Sequence, residues 1–366
     1  MAVYISLTII VTLLGFFVAT SGRTVLLDNQ GETCDFTRQK AFNLGFVFMV
    51  FMLLFGVSVC RIAVGNDYWV YRDYILKIAA GRHVATEFGF NYLVKLCQFL
   101  TQNDECYLLI LGIFSLATVY LFVKAMYEQS LWFGMSVYLL LTGGYYFLSL
   151  NSVRYYFAVA IALVAMRQVI KGEWIKFVLM VLVGACFHKS LLIILVLYPL
   201  ARLKWNRWVM GGAIALCASL VVFKDLYRKL LFLVYPYYEN SMFDDGSVSV
   251  VNILKGAAIV GFALFYYRKY IKDSEADRFY LNLQIGALML YCFGSFIPEV
   301  SRIGYYLNIS LVFLIPNVLK KIENRKAKIF FTVAIMLAFA GYFAFFLKGA
   351  DSVDIRIIPY RNWIFN

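Results

Sequence analysis

The chain has 366 residues, of which 63% are hydrophobic and 15% are charged, and its formal net charge is +13. A soluble globular domain is about 45–50% apolar and about 25% charged, so this composition excludes an ordinary soluble domain. Several apolar runs approach the ~20 residues that a helix needs to cross a ~30 Å hydrocarbon core. The sequence therefore predicts an all-α, polytopic membrane protein that forms a single integral membrane domain over residues 1–366.

The apolar runs follow one another along the whole chain. They lie at residues 1–19, 41–60, 105–123, 131–149, 153–169, 174–200, 208–223, 249–267, 279–297, 303–319 and 329–347. A shorter run, 87–100, is too brief to span, and we expect it to be re-entrant or interfacial. With 174–200 counted as two short helices, the runs predict about 12 crossings, some of them short or broken.

The run 174–200 is too long for one simple span and short for two, and the polar sequence FHKS lies near its middle. Basic residues in 167–176 and 201–207 indicate that both ends lie in the cytoplasm. A hairpin of two short helices that turns at His188 agrees with this charge pattern and directs His188 outward. A single broken span is the alternative.

The basic loops account for the positive net charge and set the orientation of the chain. Because Lys and Arg are enriched in cytoplasmic loops, 268–278 and 320–328 are expected in the cytoplasm. The positive charge is therefore explained by membrane orientation, and nucleic acid is not an expected partner. The other cytoplasmic loops are then 20–40, 124–130 and 201–207. The external segments are 61–100, 150–153, 224–248, 298–302 and 348–366. Seven cysteines without a CxxC pair and only two histidines indicate neither a disulfide framework nor a His-built metal centre.

This orientation places the unusual polar residues near span ends on one side. They are Arg61, Asp67, Arg72, Glu87, Asn151, Arg154, His188, Lys189, Glu299, Arg302 and Arg361. Polar groups at membrane depth normally face a cavity or one another, so we predict one external cavity. Residues 61–100 would form its partly re-entrant active-site segment.

Several of these residues also have purely structural explanations. Arg61 and Arg302 could be snorkelling side chains at span ends. Asp67 and Glu87 could simply pair with nearby arginines. His188 could cap a helix at the interface.

The residue types in the predicted cavity favour glycosyl transfer from a lipid-linked sugar pyrophosphate. Arginine forks bind phosphate and stabilise the charge of a pyrophosphate leaving group, and a carboxylate or histidine can deprotonate an acceptor hydroxyl. The candidate catalytic residues are Asp67, Glu87 and His188. The candidate substrate-binding residues are Arg61, Arg72, Asn151, Arg154, Lys189, Arg302 and Tyr305. No GxxxxGK[ST] or GxGxxG loop is present, which disfavours a nucleotide substrate.

An ordered set of motifs resembles a known family. GNDYWVYRDY, EFGFNYLVKL, NSVRYYFAVAIAL, ACFHKSLLIILVLYPL and IIPYRNW look like the EpsG-type, Wzy-like bacterial polysaccharide (O-antigen) polymerases. The resemblance implies a membrane glycosyltransferase similar to the GT-C type, in the bacterial inner membrane with its active site facing the periplasm, and no cofactor or bound metal. It would join undecaprenyl-pyrophosphate-linked oligosaccharides as donor and acceptor. A chain-length regulator is a further candidate partner. The positions that match are Arg61, Asp67, Glu87, Arg154, His188 and Arg302.

Two other functions remain open at the level of the sequence. A flippase or transporter of lipid-linked oligosaccharide would use the same arginines to hold pyrophosphate, and internal repeats would be expected. A membrane O-acyltransferase would use His188 as a base and would need a path for an acyl donor.

Overall fold

The computed structural model describes residues 1–23, 25, 37–234, 248–297, 300–352 and 355–364. Within these ranges the protein is helical, and its β-structure consists of an isolated bridge between Arg61 and Asn362. Most of the predicted cytoplasmic loop 20–40, the second half of the predicted external loop 224–248 and Glu299 lie outside the described residues.

The α-helices of the described chain range from 4 to 25 residues in length. In chain order they are α1 (Ala2–Phe16), α2 (Arg38–Val59), α3 (Asp67–Ala79), α4 (Phe88–Thr101), α5 (Tyr107–Gln129), α6 (Phe133–Thr142), α7 (Tyr145–Leu148), α8 (Val153–Lys171), α9 (Trp174–Ala185), α10 (Ile194–Ala201), α11 (Arg207–Val222), α12 (Lys224–Val234), α13 (Val250–Phe265), α14 (Glu275–Phe293), α15 (Val300–Asn308), α16 (Leu311–Lys321) and α17 (Arg325–Gly349). A 3₁₀ turn at Lys189–Ile193 precedes α10, and a π turn at Tyr267–Ile271 follows α13.

Five helical segments of the described chain are long and apolar enough to cross a bilayer. They are α2, α5, α8, α17 and the stretch Arg302–Lys321 that runs through α15 and α16. The pair α11 and α12, bent by 82°, would be a sixth if it is one span. Shorter apolar helices, among them α1, α6, α9 and α13, accompany them. The all-helical, multi-pass character is therefore confirmed, whereas the predicted number of about 12 crossings is not.

Two predicted segments differ from the structure. The run 131–149 was expected to be one span, but it is divided into α6 and α7 at Gly143 and Gly144. Gly144 has φ +82°, a left-handed conformation that glycine adopts without steric cost, and the helix therefore ends there. The first part of the predicted loop 224–248 is helical and forms α12. This helix is amphipathic, so a search for uniformly apolar runs does not find it.

The chain divides into two compact units. The first unit contains residues 1–192 and 319–366, and the second contains residues 193–318. That both belong to a single membrane domain stays a prediction from the sequence.

Inside the first unit, α8 packs between α5 and α9, and α1 packs against α2 and α6. The contact between α1 and α6 is unusually close: a Cβ atom added to Gly134 would lie 2.6 Å from the backbone nitrogen of Phe16. Small residues permit this kind of backbone approach between membrane helices. The glycine pair Gly15 and Gly134 therefore fixes how α1 meets α6.

The helices α3 and α4 support the polar segment that the sequence singled out. They have 13 and 14 residues, which at 1.5 Å per residue gives about 20 Å each and is too short to cross a ~30 Å core. Tyr71, Ile75, Phe90 and Val94 on their inner faces belong to one buried cluster with α5. The expectation that 87–100 does not span by itself agrees with this length.

Candidate functional site

Three predicted residues from distant parts of the chain meet in the first unit. Arg154, near the start of α8, donates a hydrogen bond through Nη1 to Oε2 of Glu87, the residue that precedes α4. Oε1 of Glu87 lies 3.6 Å from Nδ1 of His188. These three side chains are only 15–17% exposed. We call Glu87, Arg154 and His188 the Glu87 cluster.

The break between α9 and α10 brings His188 to this cluster. The helix α9 ends at Ala185, and the 3₁₀ turn begins at Lys189, so His188 lies in the break that the FHKS sequence predicted. The backbone N–H of Lys189 donates to Oε1 of Glu87 at 3.2 Å. A Cβ on Gly89 would lie 2.7 Å from the carbonyl oxygen of Cys186, so glycine lets α4 approach the break closely. Whether 174–200 forms a hairpin stays a prediction.

Aromatic rings surround the two basic members of the cluster. The guanidinium carbon of Arg154 lies 5.2 Å from the ring centre of Phe90 and 5.9 Å from that of Tyr71. The rings of His188 and Tyr155 meet edge to face at 5.5 Å. The Nε of Arg154 is buried and has no acceptor among the described residues. The Nε atoms of Arg61 and Arg167 are buried without an acceptor in the same way, so this nitrogen does not by itself indicate a ligand.

Asp67 is held at the start of α8 by two hydrogen bonds. The hydroxyl of Ser152 donates to Oδ2 of Asp67 at 3.0 Å, and the backbone N–H of Asp67 donates to Oδ1 of Asn151 at 2.9 Å. Ser152 is the residue before α8, and Asp67 begins α3. A carboxylate in this position is stabilised by the partial positive charge of the helix N-termini.

Tyr71 connects Asp67 with the Glu87 cluster. It lies one turn along α3 from Asp67, and its hydroxyl accepts the backbone N–H of Arg154 at 3.3 Å. Burial raises the pKa of Tyr71, so its hydroxyl stays protonated at neutral pH. Tyr71 on α3 therefore contacts the same N-terminal end of α8 that holds Asp67.

The loop before α3 needs glycine at residue 65. Gly65 has φ +93°, and a Cβ there would lie 2.8 Å from the Cα of Asn151 and 2.9 Å from the carbonyl oxygen of Leu150. Only glycine permits this close approach of two backbones. The contact places Asn151 where it can accept from Asp67.

Arg61 anchors the helices rather than the Glu87 cluster. It is 2% exposed, and its Nη1 donates to the carbonyl of Ser58, to the hydroxyl of Ser58 at 3.2 Å and to the hydroxyl of Ser115 at 2.9 Å. These bonds tie the end of α2 to α5. The observed contacts of Arg61 are therefore structural, and its predicted role in substrate binding stays a prediction.

The C-terminal motif IIPYRNW lies along the loop 60–66. Backbone N–H groups of Ile62 and Gly65 donate to the carbonyls of Arg361 and Arg356 at 3.0 and 2.9 Å, and Trp363 donates to the carbonyl of Cys60 at 3.1 Å. The hydroxyl of Tyr360 donates to the carbonyl of Val57 at 2.9 Å. The motif therefore supports the loop that precedes Asp67.

The remaining predicted residues lie apart from these contacts or in the other unit. Arg72 on α3 pairs with Glu105 at 3.4 Å on a partly exposed surface and stacks on Tyr107. The side chain of Lys189 is exposed. Arg302 and Tyr305 belong to α15 in the second unit, so their part in the site stays a prediction.

Two contributors were missing from the sequence-based site. Ser152 could have been found as a helix N-cap in the motif NSVRYY, because serine is favoured there. Tyr71 gave no separate signal among the many tyrosines. Among the described residues, no three His, Cys, Asp or Glu side chains are grouped so that they could hold a metal ion.

The chain also matches the model of a known protein family. The family model described as EpsG family matches residues 44–362, which includes every member of the Glu87 cluster. No curated protein and no solved structure matches the chain.

Proposed function

Since this chain belongs to the EpsG family of Wzy-like polysaccharide polymerases, we propose that it joins undecaprenyl-pyrophosphate-linked oligosaccharide repeats into a surface polysaccharide or O-antigen. The reaction would be a glycosyl transfer at the periplasmic face of the bacterial inner membrane. The basic loops 268–278 and 320–328 support this orientation, because such loops are typical of the cytoplasmic side.

The observation that carries the proposal is the Glu87 cluster. Partly burying an arginine, a carboxylate and a histidine together is costly, and removing one partner leaves an uncompensated charge. The cluster adds a histidine to its ion pair, which the second arginine–carboxylate pair of α8, Arg167 with Glu128, does not include. An anionic substrate group would complete the hydrogen bonds of Arg154.

Arg154 would bind the pyrophosphate of the donor. Glu87 and the hydroxyl of Tyr71 accept from the guanidinium, and its remaining N–H groups would bind phosphate oxygens. In the reaction, the acceptor oxygen forms a bond with the anomeric carbon while the bond from that carbon to the pyrophosphate oxygen breaks. The electron pair leaves with the pyrophosphate, and Arg154 stabilises the charge that develops there. We propose Arg302 as a second cation for this group.

His188 is the base that the geometry favours, and Asp67 is the alternative. Glu87 already accepts from Arg154 and from the amide of Lys189, so it is better suited to orient the other two side chains than to accept a further proton. Its oxygen at 3.6 Å from Nδ1 of His188 would stabilise the imidazolium formed when Nε2 takes the proton of the acceptor hydroxyl. Asp67 would then orient the acceptor and anchor α3 to α8.

We also propose a GT-C-like membrane architecture with about 12 crossings. The support for it is the number of apolar helices shorter than a full span, such as α1, α6 and α9. Each of these short helices would cross the bilayer together with a neighbouring helix and not by itself.

The function is tested with the purified full-length protein and a synthetic undecaprenyl-pyrophosphate repeat in liposomes. We expect glycans of increasing length with release of undecaprenyl pyrophosphate. Relocation of the lipid across the bilayer without longer glycan would indicate a flippase, and an acyl-modified sugar would indicate an O-acyltransferase. Either result would contradict the proposal.

A further inference from the structure

The second unit contains a cavity of about 500 Å³ whose lining is almost entirely apolar. The cavity lies between α10, α11, α14 and α15, and it shares no residue with the Glu87 cluster. A volume of this size is typical of a ligand site.

The helix α11 faces the cavity along most of its length. Its lining residues are Val209, Gly212, Ala213, Leu216, Cys217 and Leu220. They recur at helical spacing on one face and extend over about 17 Å, close to the ~15 Å depth of one leaflet of the hydrocarbon core. None of the 16 residues of α11 is buried. The inner face of α11 is therefore apolar but not filled by protein side chains.

Polar residues line one end of the cavity, and basic residues adjoin them in the sequence. The indole N–H of Trp205, which lines the cavity, donates to Oδ1 of Asn282 at 2.6 Å. Trp is enriched at the membrane–water interface, so this pair indicates the depth of the polar end. Lys204 and Arg207 flank Trp205 and are exposed, while Arg202 is paired with Glu275 at 2.7 Å.

We propose that this cavity holds an acyl chain of an anionic phospholipid, whose phosphate lies between Lys204 and Arg207. The apolar face has the depth of one leaflet, and the basic end lies in the loop 201–207, which the sequence predicts to be cytoplasmic. Basic pockets between membrane helices on the cytoplasmic side are suited to anionic head groups. Asp67, Glu87 and His188 do not line the cavity, and the lipid would stabilise the second unit.

The chain offers a matched pair of variants on α11. A Cβ at either Gly211 or Gly212 meets no atom within 4 Å, but only Gly212 lines the cavity. Gly212→Phe would fill the cavity, and Gly211→Phe would add the same ring to the same helix outside it. Lys204→Gln removes one head-group contact at an exposed position and does not alter the cavity.

The test is native mass spectrometry of the purified full-length protein titrated with phosphatidylglycerol or phosphatidylcholine. We expect one phosphatidylglycerol to be retained by the wild type and by Gly211→Phe but lost from Gly212→Phe. Lys204→Gln should weaken retention about fivefold, the factor expected for one basic residue near an anionic surface. If Gly212→Phe does not insert, the Lys204→Gln titration decides the matter.

Three results would overturn the proposal. Equal retention of both lipids would show that the head group is not recognised. Retention of phosphatidylglycerol by Gly212→Phe at the level of the wild type would place the lipid elsewhere. Displacement of the bound lipid by undecaprenyl phosphate but not by phosphatidylglycerol would assign the cavity to a polyprenyl chain instead.

Discussion

Glu87 holds Arg154 and His188 at the same time, so changing it should affect two side chains at once. We expect Glu87→Gln to lower the rate of polymerisation about 100-fold, because the base loses its orienting charge and Arg154 loses its partner. The measurement is the initial rate of glycan extension by the purified variant.

The matched control for this change is Glu128→Gln. Glu128 accepts from Arg167 at 2.5 Å in a second carboxylate–arginine pair, at the opposite end of α8. A similar loss of rate in Glu87→Gln and Glu128→Gln would mean that any broken ion pair on α8 disturbs the enzyme, and the role of the Glu87 cluster would be lost.

Gly65 gives a second prediction at the residue scale. Gly65→Ala should reduce polymerisation strongly, because the methyl group would push against Asn151 and shift the amide that accepts from Asp67. Gly81 also has positive φ, +68°, but a Cβ there meets no atom within 4 Å. Gly81→Ala should therefore cost only about 1 kcal/mol of backbone strain and leave the rate nearly unchanged. Equal losses of rate in the two variants would show that strain, and not the contact with Asn151, is responsible.

Helices can be predicted from local composition more directly than functional sites can. The bounds of α2, α8 and α17 agree with the apolar runs within about four residues, because each run is long and uninterrupted, whereas α5 extends six residues beyond its run. The prediction of one span over 131–149 was wrong because the break in this run depends on one left-handed glycine, Gly144. The helix α12 was missed because it is amphipathic rather than uniformly apolar.

Part of the candidate site was also predictable from the sequence. Glu87, Arg154 and His188 were selected because charged groups are costly near the membrane. Their mutual distances and the bonds of Ser152 and Tyr71 depend on how α3, α4, α8 and α9 pack, which no local pattern contains. Arg61 shows the limit of this reasoning, since its charge drew attention although its contacts tie α2 to α5.

The contact between α1 and α6 gives a prediction at the element scale. We expect Gly134→Val to destabilise the protein by about 1–3 kcal/mol, because the side chain would meet the backbone of α1. Gly45→Val on α2 is the control, since a Cβ there has open space. Thermal unfolding in detergent should show a lower midpoint for Gly134→Val only. Equal midpoints would contradict the close packing of these helices.

At the scale of the whole molecule, the proposed orientation can be tested by labelling in cells. In a cysteine-free background, Asp104→Cys and Lys326→Cys each introduce one exposed thiol. A membrane-impermeant maleimide applied to spheroplasts should label residue 104, near the predicted external segment, and should reach residue 326 only after lysis. Labelling of residue 326 in intact spheroplasts would reverse the orientation and contradict a periplasmic reaction.

The central claim is that Arg154 binds the pyrophosphate leaving group in a polymerase site. Arg154→Gln and Arg167→Gln remove a carboxylate-paired arginine from each end of α8. The most direct measurement is the product ladder that each purified variant makes from the synthetic undecaprenyl-pyrophosphate repeat. We predict full ladders from the wild type and Arg167→Gln and no product beyond the starting repeat from Arg154→Gln, with all three proteins folded by size-exclusion chromatography. A full ladder from Arg154→Gln would contradict the account.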